Sequence, residues 1–180
     1  MERGFKARAN RVAVDVRSDL GLRAYDPLDP LAVCSHFGIE VVPLTKYGKE
    51  ATHFTRIERG AFSAVTVPCG IRRAIVHNDT HAPDRQRSNI MHELAHAFLG
   101  HPPCSAFNCD GERQYDSGIE AEAAFLGGAL LITNEAAWHI VRAQLRGVAR
   151  QMYGVSQRML DYRLRISGAL TRAARLRSAS

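Results

Sequence analysis

Long apolar runs are missing from this 180-residue sequence. No stretch approaches the ~20 consecutive apolar residues that cross a bilayer, so no membrane partner is expected. The opening Met1-Glu2-Arg3-Gly4-Phe5-Lys6 is charged where a signal peptide would be apolar, and a cytoplasmic protein is expected. Cysteine is scarce. In a reducing compartment Cys34, Cys69, Cys104 and Cys109 should be free or metal-bound, not a disulfide framework. Internal repeats and low-complexity segments are absent. Acid is nearly absent from residues 141–180, where nine arginines face Asp161 alone; that segment carries +8 and leaves −2 on the first 140 residues. Such a segment is either a solvated helical surface or a binding surface for an anionic polymer.

What remains is ordinary globular material, 46% hydrophobic and 23% charged, enough for one domain with a small appendage. Its most informative stretch is Met91-His92-Glu93-Leu94-Ala95-His96-Ala97-Phe98-Leu99-Gly100-His101. Histidines four positions apart lie on one face of a helix, so both imidazoles can reach one ion. Glu93 would stand beside that ion, placed to take a proton from a metal-bound water. Ile90, Leu94, Ala97 and Phe98 supply the apolar stripe that seats the helix. The pattern points to Zn2+ and to peptide hydrolysis, with His92 and His96 as ligands and Glu93 as the catalytic base.

Around this stretch the pattern predicts a helix over 3–20, a short helix capped by Asp29, an edge strand over 39–44 and a hairpin from 61–67 and 73–77. The metal-motif helix should start near 85–88, another should span 118–131, and helices should fill 134–152 and 156–176. The expected class is α+β, a small antiparallel or mixed sheet packed on helices. Residues 1–133 would form the core and 134–180 a basic helical extension packed on it.

A catalytic zinc usually has three protein ligands. Glu120 and Glu122 lie about 200° apart around their helix, so only one can face the site. Glu122 shares a stripe with Ile119, Phe125, Leu126 and Ala129, where an acid needs a partner such as a metal. Glu120 shares its face with Ala123, Ala124, Gly127 and Leu131. Glu122 is the favoured reading. His101 misses by one residue the spacing of a third metal histidine and reads as structural or substrate-side.

Ile75-Val76-His77-Asn78, the run Arg85 to His96, Glu120-Ala121-Glu122-Ala123 and Leu130-Leu131 together resemble the ImmA/IrrE metallopeptidases, over about residues 5–133. Two departures stand out: Ala95 replaces a glycine of the metal motif, and Thr133 a proline after Leu130-Leu131. The resemblance implies a zincin-like metallopeptidase core whose acidic-Ala helix supplies the third ligand, mapping to Glu122. It further implies a zinc endopeptidase that cuts a helix-turn-helix transcriptional repressor after DNA damage or stress, in mobile elements or phage defence.

Cys104 and Cys109 sit between the two site-bearing helices, where either thiolate could cap the zinc and hold the enzyme latent. Arg142, Arg146 and Arg150 recur every four residues and, with Tyr153 and Tyr162, suggest single-stranded DNA as an activating partner. The alternative function is a DNA-binding or partner-binding regulator that keeps the scaffold without proteolysis.

Overall fold

The computed structural model describes residues 2–58, 60–70, 72–101 and 116–178. Helix α1 (Phe5–Asp19) buries Phe5, Ala9, Ala13 and Val16, spaced three and four apart. It stops where Gly21 turns to φ +70. Helix α2 (Pro30–His36) opens on Asp29, whose carboxylate accepts from the Ala32 N–H, with Pro30 in the first turn.

Strands β1 (Glu40–Pro43), β2 (Ala64–Cys69) and β3 (Arg72–His77) form one sheet in the order β1-β3-β2. β1 runs parallel to β3 and β2 antiparallel, so the sheet is mixed and Pro43 lies on an edge strand. Alternation sorts the two faces. Val42, Ala74, Val76 and Val65 pack with Leu44 and Ala51 of the irregular helical turns 44–57. On the opposite face Val41, Ile75 and Thr66 share one cross-strand row, and Val41 and Ile75 join the main core.

Helix α3 (Pro83–Phe98) crosses that second face. It begins at Pro83, ahead of the expected start, because the missing proline N–H would have no helical partner there. Helix α4 (Ser117–Leu131) opens on Asp116, which accepts from the Gly118 and Ile119 N–H groups. From Phe125 to Leu131 every residue of α4 is buried, as in a helix that runs through a core. A Cβ placed on Gly127 would meet the His92 Cα and N and the Met91 carbonyl oxygen, each at 3.2 Å. α3 and α4 therefore cross backbone against backbone at the metal motif.

The two helices expected over 134–152 and 156–176 are four: α5 (Asn134–Arg142), α6 (Arg146–Tyr153), α7 (Gln157–Ile166) and α8 (Ala169–Ser178). The breaks fall at Gln144, φ +56, and Gly168, φ +75. Thr133 has its own task in place of the expected proline. Its hydroxyl caps α5 through the Ala136 N–H and donates to the Ala24 carbonyl. One apolar core takes residues from Phe5 through Leu164 and Ala169, so it crosses the boundary drawn at 133/134.

Two guanidinium groups close the C-terminal end of α4. Arg17, fully buried, donates to the carbonyls of Leu130 (2.8 Å), Leu131, Ala13 and Asp26. Arg163 from α7, also fully buried, donates to the Ile132 carbonyl at 2.7 Å and to Asn134 Oδ1. At the end of α4 the Leu130 and Leu131 carbonyls have no partner inside the helix, and a buried helix end needs one supplied from elsewhere. Burial pulls both arginines down to about 10, which leaves them charged at neutral pH. Among the described residues no single helix is long and apolar enough to cross a membrane.

Candidate metal centre

His92 and His96, one turn apart on α3, bring their Nε2 atoms to 3.1 Å from each other. The third group comes from α4. Glu120 Oε2 lies 3.1 Å from His92 Nε2, and Glu120 Oε1 lies 3.6 Å from His96 Nε2. Ligands around a tetrahedral zinc at about 2.0–2.1 Å stand about 3.3 Å from one another, so this spacing fits. Two imidazoles and one carboxylate could hold a metal ion here. Burial, then the neighbouring His92, pushes His96 down to about 4, so at neutral pH its imidazole is in the neutral form that metals require.

The expectation of Glu122 as third ligand is corrected by this geometry. Glu122 Oε2 faces His101 Nε2 at 3.8 Å, on the far side of His96. The physical reason is Gly127. The face of α4 that meets α3 is the one with the smallest side chains, and Glu120 lies seven residues, two turns, before Gly127 on that face. The bulky stripe that favoured Glu122 packs elsewhere, with Phe125 edge-on to Phe5 of α1.

Glu93 points toward the sheet. Its Oε2 accepts from the Thr66 hydroxyl at 2.7 Å. Burial lifts the Glu93 carboxyl above the ordinary glutamate range, opposed by the Thr66 hydrogen bond and by His92. Sequence reasoning missed Thr66. Its signal was the hairpin alternation, which places Thr66 with Ile75 on the face toward α3.

The other expected residues fare differently. Cys104 and Cys109 lie outside the described residues. Arg142, Arg146 and Arg150 are all exposed, but Arg142 ends α5 while the other two sit on α6 beyond the Gln144 break, so no single helical stripe exists. Tyr153 is buried, with its hydroxyl donating to the Tyr25 carbonyl at 2.6 Å, and is withdrawn from any surface. Arg163 is withdrawn likewise.

A mixed sheet crossed by a helix carrying His-Glu-x-x-His, with a carboxylate from a second helix beside it, defines a zincin-like metallopeptidase fold. Residues 34–165, more than half of the chain, match the peptidase family described as the IrrE N-terminal-like domain, and the chain belongs to that family. The match extends past Leu131 into α7, beyond the stretch over which the resemblance was read. A search of curated proteins returns no match.

Proposed function

We propose that this protein is a zinc-dependent endopeptidase. The observation that carries the reading is the convergence of His92, His96 and Glu120, with Glu93 of the same α3 helix held toward β2 by the Thr66 hydroxyl. Bound by the three side chains, zinc would polarise a peptide carbonyl and lower the pKa of a bound water to about 7. Glu93 takes the proton of the attacking water and passes it to the departing amine nitrogen. The Thr66 hydroxyl fixes one Glu93 oxygen and so sets the direction in which the carboxylate reaches.

The substrate is a protein chain in extended form. Among the described strands β2 pairs only with β3, so its other edge offers backbone N–H and C=O groups beside the Glu93 support. An extended peptide can add to such an edge. The resemblance supplies the substrate class, a helix-turn-helix repressor cut in response to DNA damage or stress. Single-stranded DNA is the activator we propose, contacted by Arg146 and Arg150, which lie four apart on α6 and are exposed.

The test is cleavage of a helix-turn-helix repressor encoded beside this gene by zinc-loaded protein, with and without single-stranded DNA. Wild type cuts and Glu93→Gln does not. Intact repressor with both proteins, at full zinc occupancy, refutes the reading in favour of a regulator without proteolysis.

A further inference from the structure

The stop of α3 folds a second histidine onto the first. Gly100 takes φ +67, a backbone conformation that glycine enters without penalty. Around it the His101 N–H donates to the His96 carbonyl at 3.0 Å, and the Gly100 N–H to the Ala97 carbonyl at 3.2 Å. This paired pattern is a Schellman motif, which returns the second residue past the cap over the third residue from the helix end. An apolar pair often fills that contact. Here it is His101 over His96.

The two Nδ1 atoms are 3.0 Å apart, and the rings meet edge to face with centroids 5.1 Å apart. Both side chains are nearly buried, 10% and 12% exposed. His96 turns Nε2 toward His92 and Glu120. With that lone pair committed to a metal, the His96 proton sits on Nδ1 and donates to His101 Nδ1. The His101 proton then sits on Nε2, the nitrogen that faces the Glu122 carboxylate at 3.8 Å, beyond a direct hydrogen bond. One placement of protons makes the His96–His101 hydrogen bond, and the Glu122 carboxylate beside Nε2 favours that tautomer.

We propose that His101 is a positioning residue of the metal centre, with Glu122 behind it: it fixes the rotation and tautomer of His96 so that Nε2 is presented to the ion. This rests on the metal-binding reading above. Ligating histidines generally have such a partner on the second nitrogen, and its loss weakens metal binding about 10–100-fold. Glu122, expected as a ligand, thereby acts at two removes from the metal, through His101 and His96.

The experiment titrates Co2+ alone into the metal-free protein, reading affinity by chelator competition and geometry by the visible d–d spectrum, with circular dichroism to confirm folding. His101→Phe keeps a ring over His96 but cannot accept its proton. His101→Asn places an amide oxygen near the Nδ1 position. The expected result is Co2+ binding weaker by about 10–100-fold in His101→Phe, with an altered spectrum, and recovery of most of that loss in His101→Asn. A His101→Phe protein that binds as wild type does, with the same spectrum, overturns the inference and leaves the metal centre standing. Wild-type protein that takes up no Co2+ overturns the metal centre and this inference together.

Discussion

Gly127 and Gly128 are adjacent on α4, and the structure assigns opposite outcomes to the same substitution. At Gly127 an added Cβ meets three α3 backbone atoms at 3.2 Å. Carbon contacts settle at about 3.5–4.0 Å, so the helices must separate by about half an ångström. Backbone cannot rotate out of the way as a side chain can. Overpacking of this kind costs about 1–3 kcal/mol, against a gain of about 1 kcal/mol in helix propensity for Gly→Ala. Gly127→Ala is therefore expected to destabilise the metal-free protein by up to about 2 kcal/mol, or a few degrees of Tm at this chain length. Metal geometry tolerates only about 0.2 Å. If about 1.4 kcal/mol of the crowding is relieved by moving Glu120 away from the histidines, zinc affinity falls about tenfold. At Gly128 the new methyl meets Arg163 Cδ at 3.4 Å and the Met159 sulfur at 3.5 Å, and the methionine can yield. Gly128→Ala should be neutral to about 1 kcal/mol stabilising, with zinc affinity unchanged. Thermal melts of metal-free protein and chelator-competition titrations measure both. Equal melting points and equal zinc affinities for the two variants would refute the close helix crossing.

Glu120→Gln should abolish tight zinc binding, whereas Glu122→Gln lowers affinity by no more than about tenfold; the reverse order would reinstate Glu122 as the ligand. Arg17→Lys should destabilise by about 2–4 kcal/mol in urea titration, because an ammonium cannot reach carbonyls that Nε and both terminal nitrogens now serve separately. A loss below about 0.5 kcal/mol would count against the capping role. His77 tests pH dependence. Burial holds its folded-state pKa below 6.5, so the unfolded chain takes the proton first. Stability is intact above pH 6.5 and falls as pH drops through that value toward the folded one. His77→Phe, which also removes the partnerless buried Nδ1, should make the melting-point profile of metal-free protein less steep between about pH 8 and pH 5, His96 supplying the slope that remains.

Periodicity revealed most of this fold. The α1 stripe, the Asp29 cap, the hairpin and the edge position of Pro43 follow from local rules that hold in any chain. His92, Glu93 and His96 were legible because their relation is confined to one helix. Glu120 was not, because the choice between two acids on α4 depends on which face meets α3. That is decided by where two backbones can approach, at Gly127, and apolar weight pointed to the wrong face. The helix breaks at Gln144 and Gly168 escaped for a similar reason. A single residue of positive φ leaves the apolar spacing on either side nearly intact. Arg163 read as one more basic surface residue, since the composition of its segment says nothing about which arginine turns inward.

The two arginines at the end of α4 tie the helix that carries Glu120 to sequence far from it in both directions, one from near the start of the chain and one from α7. A polypeptide stopped after residue 133 would keep His92, His96 and Glu120, the residues that could hold the ion. It would also leave the Ile132 carbonyl, just past the end of α4, without the Arg163 donor that serves it here. The catalytic half is thus not a separable piece, and attempts to shorten the protein from its basic end should fail through insolubility before they fail through chemistry.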